Sequence, residues 1–130
     1  MIQVDQGPKV PDLLARDQSM TIVDSINQNP VLIDAYGYLV TEMKRFGAVE
    51  LEAKKTSIHI KSKKTFAGIH ARKDHLVLQI VTAEPIRDSR VFKVEQVSKS
   101  RFHNHVKIAS RSEVDAKLMG WLMIAYKLMA

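Results

Sequence analysis

From about Thr21 to Gly47 the apolar positions of the chain recur at helical spacing; beyond Gly47 they recur at every second residue until about residue 110, where the helical period returns. Thr21 with Asp24 three residues on has the form of a capping box, and Ile22, Val23 and Ile26 supply apolar contacts, so a short helix is expected over about 21–28. Asn29 is a good N-cap and Pro30 belongs at a first helical position. Ile33, Tyr36, Val40, Met43 and Phe46 then form one stripe, which predicts a helix over about 30–46 that Gly47 stops.

In the middle of the chain Val49 and Leu51 alternate with Glu50 and Glu52, and Ile58 and Ile60 with His59 and Lys61. Residues 66–71 and 75–81 are apolar runs separated by Arg72, Lys73 and Asp74, which reads as a hairpin. Pro85 closes that fourth strand, and residues 91–97 and 102–108 make a fifth and a sixth. A largely antiparallel meander is the simplest connection. Ser112 with Asp115 repeats the capping-box pattern ahead of Val114, Leu118, Trp121, Leu122, Ala125 and Leu128, so a last helix is expected over about 113–128. Met119, Met123 and Ile124 widen its apolar surface, and the reading has Trp121 buried and these three at a helix or subunit interface, with a homodimer through this helix. The fold class is therefore α+β, an antiparallel sheet of five to six strands flanked by N-terminal helices and one C-terminal helix. Residues 1–19, with Gly7, Pro8 and Pro11 and no sustained apolar period, read as a flexible arm before a single domain at 20–130.

Composition narrows the chemistry. A chain of 130 residues with 45% hydrophobic and 26% charged residues is of ordinary globular balance. With no cysteine, a disulfide scaffold, an iron–sulfur centre, a thiol nucleophile and a thiolate zinc site are excluded. The longest apolar run, residues 118–126, is far short of the ~20 residues of a spanning helix, and no secretory leader is evident at Met1, so a cytoplasmic protein with no membrane partner is expected. The charge is uneven. Residues 1–39 carry a net −3, residues 112–130 none, and residues 40–111 sixteen basic and seven acidic side chains, a net +9. A basic sheet region attracts polyanions through counterion release and fixed fields.

Strand parity places His59, Gln79, Lys93, Glu95, His103 and His105 on one sheet face, with Phe92, Val94, Phe102, Val106 and Ile108 on the other. Such a face is commonly solvated; the sharper alternative is a polar pocket roofed by a helix. His103 and His105 have the spacing of a metal pair with Glu95 as a third ligand, but Lys93 and Lys107 would repel a cation, and neither a metal site nor a cofactor is expected. Lys54, Lys55, Lys61, Lys63, Lys64, Arg72 and Lys73 fall at strand ends and turns, without any glycine-rich phosphate loop. Ser57 and Ser98 precede His59 and His103, yet no G-x-S-x-G turn occurs and no complete catalytic constellation can be assembled.

The stretches KKTSIHIKSKKTFAGIHARKDHLVLQI, VFKVEQVSKSRFHNHVKI and EVDAKLMGWLMIAYKL, with TIVD and NP before them, resemble a family of small bacterial proteins classed as a domain of unknown function, some loosely called predicted transport proteins. The resemblance runs from about Thr21 to Leu128 and implies a compact α+β domain with helices flanking an antiparallel sheet. It brings no catalytic or binding residue with it. The stretches that match best are polar: Lys54, Lys55, Arg72, Lys73, Arg90, Lys93, Glu95, Gln96, Arg101 and His103. Membrane transport conflicts with the lack of a spanning segment. Two classes remain. One is a non-enzymatic module binding an anionic ligand, nucleic acid or acidic partner through Lys54, Lys55, Arg72, Lys73, Lys93, Glu95, Arg101 and His103. The other is a small-molecule-binding protein or enzyme using the His and Glu cluster as acid and base.

Overall fold

The structure, a computed structural model, describes residues 21–130, and the arm expected over 1–19 lies outside the described residues. The capping box forms as its spacing requires: Asp24 N–H donates to Thr21 Oγ1 at 3.1 Å and Thr21 N–H to Asp24 Oδ2 at 3.2 Å, opening helix α1 (Ile22–Asn27). Asn29 Oδ1 then accepts from the N–H groups of Val31 and Leu32, and Pro30 begins helix α2 (Pro30–Met43). The expected stripe of α2 holds over most of its length, with Val40 and Met43 buried and Tyr36 and Phe46 packed against the core, but it fails at its start: Ile33 is 42% exposed, and Leu32, Ala35 and Leu39, which the stripe left out, are fully buried. This helix is apolar over a wide arc, and its packing against the sheet selects the neighbouring stripe, with Ala35 among its buried residues. A 3₁₀ turn (Lys44–Phe46) ends it, and Gly47 turns the chain at φ 144°.

Six strands follow: β1 (Glu50–Ala53), β2 (Ile58–Lys61), β3 (Thr65–Ala71), β4 (Leu76–Thr82), β5 (Val91–Ser98) and β6 (Arg101–Ile108). All neighbours are antiparallel, but the order is β1-β2-β3-β4-β6-β5, so the expected meander breaks after β4. Residues 83–90 pass beyond β6 so that the β5–β6 hairpin docks with β6 inward. The buried Asn104 on β6 explains this arrangement. Its Nδ2 donates to Ile80 O at 2.9 Å and Thr82 Oγ1 at 2.8 Å, and its Oδ1 accepts from Ile86 N–H at 2.8 Å, binding β4, the crossing loop and β6 together.

A second 3₁₀ turn (Arg111–Glu113) precedes helix α3 (Ala116–Leu128), which starts later than expected because Asp115 is the N-cap, accepting from Leu118 N–H at 3.0 Å. Ser112, assigned the cap from sequence, meets Ser110 instead, Oγ to Oγ at 2.8 Å. Helices and sheet enclose one core, in which Leu32, Leu39, Met43, Leu118 and Leu122 meet Ile60, Phe66, Ile69, Leu78, Ile80 and Ile108. Phe66 reaches it through a bulge opposite Ile60 and Lys61, its ring edge-on to Tyr126 at 5.5 Å. Trp121 is half-buried rather than buried. Met119 packs partly on the core, and Ile124 is 59% exposed. Arg90 clasps the crossing loop to α3, its guanidinium 3.0 and 3.2 Å from the two Asp115 carboxylate oxygens and donating to Glu113 O at 2.7 Å.

Candidate functional site

With the helices on one side, the opposite sheet face is built by strand parity. Glu52, His59, Gly68, Gln79, His105 and Lys93 stand opposite one another in a single row across all six strands. His70, Val77 and Lys107 form a row on one side of it, and Val81, His103 and Glu95 a row on the other. This face is neither fully solvated nor roofed by a helix. Val77 and Val81 are buried and His105 is only 9% exposed, shielded by neighbouring side chains. His105 Nε2 lies 3.0 Å from Glu95 Oε1 and 3.4 Å from Gln79 Nε2, and Lys93 Nζ lies 3.9 Å from Glu95 Oε2. Gly68 makes room for Gln79, since a Cβ there would stand 3.4 Å from its Oε1.

Phe92 departs from its expected side. A bulge between Val91 and Lys93 sets two residues of β5 against one of β6, and the Phe92 ring centroid stands 6.0 Å from that of His105. Phe92 and Lys93 thus line one hollow of about 380 Å³ together with His70, Arg72, His75, Val77 and His105. A second hollow of about 220 Å³ lies beside it, lined by residues including Lys55, Thr56, His70, Arg72 and Ser25. His70 and Arg72 form a wall common to both, and neither lining, among the described residues, contains a carboxylate.

Burial pushes the His70 imidazole below its ordinary value of 6.5, and the adjacent Arg72 charge adds to the effect. His103 is lowered by burial against the opposing pull of Glu95, whereas Glu95 is lowered chiefly by its hydrogen bond to His105 and then by Lys93. A histidine lowered in the folded state favours its neutral form there. The unfolded chain therefore takes up the proton first as pH falls below about 6.5, and stability present above that value is lost on acidification. Denaturation midpoints measured from about pH 8 to about pH 5 should fall toward acid, and His70→Asn with His103→Asn should flatten that fall. An unchanged profile in the double variant contradicts this assignment.

The eight residues singled out from sequence divide by position. Lys54 and Lys55 in the β1–β2 turn and Arg72 and Lys73 in the β3–β4 turn lie at the same end of the sheet, because Ile58 pairs with Ile69 and Ala71 with Leu76. Lys55, Arg72 and Lys93 line the hollows, while Lys54 Nζ is engaged by Glu52 at 3.2 Å. Glu95 and His103 face each other across β5 and β6 in the adjacent row. Arg101 sits at the opposite end, its guanidinium donating to Ser100 O at 2.7 Å, and does not join them. Sequence reasoning missed His70, His75 and Phe92 as lining residues. His70 shares the parity of Gly68, a signal that was there to be read; the bulge that turns Phe92 was not. Among the described residues, no cluster of three or more His, Asp or Glu side chains is arranged to hold a metal ion, and no helix is long and apolar enough to cross a membrane.

Among the described residues these features define an α+β domain with three helices on one face of a six-stranded antiparallel sheet and a histidine-bearing opposite face. A family model described as Domain of unknown function (DUF5655) matches residues 22–129, and the chain belongs to that family. No curated protein and no solved structure matches it.

Proposed function

We propose that this domain is a non-enzymatic binding module whose open sheet face takes an anionic ligand or partner, nucleic acid being the partner its charge suits best. The reading rests on one observation: Arg72, Lys93, His70, His75 and His105 converge on a hollow whose lining lacks a carboxylate and whose side is the exposed ring of Phe92. Cations beside an aromatic surface suit a phosphate with an attached base, since the ring stacks while the charges hold the phosphate. Protonation of His70 adds charge to the lining, and because burial holds its imidazole below the ordinary value of 6.5, affinity should rise only as pH falls below that value.

The test uses inorganic phosphate, pyrophosphate and a labelled single-stranded oligonucleotide, followed by thermal shift and by anisotropy across a salt series. Arg72→Ala with Lys93→Ala should weaken oligonucleotide binding at least ~10-fold and reduce the salt slope by about 1.4 if both residues meet phosphates. Lys63→Ala with Lys64→Ala, at the other end of the sheet, should change it little. No binding of any of the three anions at low salt would sink the proposal.

A second reading draws on the contact of Glu95 with His105, a pairing in which a carboxylate orients an imidazole for acid–base work on a small molecule. It predicts a thermal shift from a small anion that Glu95→Gln leaves intact, together with a turnover that the same substitution removes.

A further inference from the structure

Among the described residues, three of the seven exposed large hydrophobics belong to one strand, β5: Phe92 at 58%, Val94 at 42% and Val97 at 53%. Among the described residues β5 is an edge of the sheet, exposed along nearly its whole length, and its outward backbone groups form a template for another strand. We propose that β5 is the docking edge for a second copy of this chain, pairing antiparallel about a two-fold axis at Val94 to make a continuous twelve-stranded sheet.

The charge pattern selects this occupant. With Val94 opposite Val94 of the partner subunit, Lys93 faces Glu95 of the partner subunit and Glu95 faces Lys93 of the partner subunit, giving two opposite-charge pairs from one strand. Moving the axis to residue 93 sets lysine against lysine, and moving it to residue 95 sets glutamate against glutamate. Bulges between Val91 and Lys93 and between Gln96 and Ser98 leave regular pairing over residues 93–96, which holds the self-complementary segment. Glu95 Oε1 meets His105, and its Oε2 is held by a long, exposed 3.9 Å ion pair with Lys93 of its own strand, which the cross-strand pairs would exchange for partners on the second copy. The other edge is unsuited. β1 is four residues long and carries Glu50 and Glu52, so a second copy meets like charge there. The C-terminal helix offers less as well, since Met119 turns partly to the core and leaves Ile124 as its large exposed hydrophobic. Pairing at β5 also places the partner strand beside Phe92 and Lys93, at the rim of the larger hollow.

Sedimentation equilibrium of the full chain over a concentration series reads the association directly. The mass should climb from 14.7 kDa toward twice that value. Lys93→Glu alone and Glu95→Lys alone each turn both cross-strand pairs into like-charge pairs and should weaken association about tenfold. Combining them restores opposite charges and should recover the original strength. Lys99→Glu, which makes the same change in net charge in the β5–β6 turn, should have little effect, and melting curves establish that each variant is folded. As the chain has no cysteine, Val94→Cys supplies a single thiol that should form a disulfide dimer under mild oxidation, faster than Val97→Cys or Ile124→Cys. A mass that stays at 14.7 kDa up to about 1 mM overturns the proposal, as does a combined variant no stronger than the single ones. Preferential cross-linking of Ile124→Cys overturns it in favour of the helix face.

Discussion

Asn104→Leu should lower stability by about 3 kcal/mol, seen as a melting temperature about 10 °C lower. Leucine has as many side-chain heavy atoms as asparagine, is bulkier, and finds apolar company in the core, so loss of packing is not the cause. The cost comes from Ile86 N–H and Ile80 O, which lose their partner on Asn104, and from Thr82 Oγ1, left with its bond to Glu84 O. An amide donates and accepts at once, which is why Asn104→Asp is also expected to destabilise: the carboxylate keeps the Ile86 contact but sets negative charge against the Ile80 carbonyl. A melting temperature for Asn104→Leu within a degree or two of the parent would show that the crossing loop is held by other means, with the Arg90 clasp the first to examine.

Gly47→Ala should cost a comparable amount, about 3 kcal/mol, from two separable causes. The backbone stands at φ 144°, where an L side chain is strained. A Cβ there would also lie 2.5 Å from Tyr126 Oη and 3.5 Å from Cζ. Tyr126 cannot easily withdraw, since its ring is packed between Phe46 at 5.6 Å and Phe66 at 5.5 Å. Tyr126→Phe removes the nearest clashing atom and leaves the backbone strain, so Gly47→Ala should cost about 1 kcal/mol less in that background. Equal costs in the two backgrounds, measured by chemical denaturation, would assign the whole effect to the backbone.

Much of the fold was legible wherever a local rule decides. The Thr21–Asp24 box, Asn29 before Pro30, and the polar turn between residues 71 and 76 each depend on neighbours a few residues apart, and each appears where its spacing put it. What failed were properties held between distant segments. The stripe of α2 was misread at its first turn, where both Ile33 and Leu32 lie on apolar arcs and the sheet rather than the helix chooses between them, while Val40 and Met43 are buried as expected. The position of Phe92 depends on a bulge, a mismatch of register between two strands that neither sequence reveals alone. Asp115 was read one turn too far into its helix because a 3₁₀ turn intervenes.

For the candidate site the same division holds. Parity correctly gathered His59, Gln79, Lys93, Glu95, His103 and His105 on one face. That Lys55 and Arg72, on separate turns, share a hollow follows from the pairing of β2 with β3, while Arg101 was grouped with them on charge alone and stands at the far end. Hollows are made by which long side chains lean over which small ones, as Gln79 does over Gly68, and alternation carries no record of that.

The strand order has a consequence for how the molecule opens. Every pairing in the sheet except β4 with β6 joins strands adjacent in the chain, so the first four strands form a local unit and the last two a hairpin of their own. The ladder from Leu76 opposite Ile108 to Thr82 opposite Phe102 is the seam between them, closed at a large separation in sequence. In native-state amide exchange, cutting one seam fastening by Asn104→Leu should free β6 and β5 as a single cooperative unit at a lower opening energy than β3, which keeps neighbours on both sides. Protection lost in β3 and β6 to the same degree would show that the two parts of the sheet open as one.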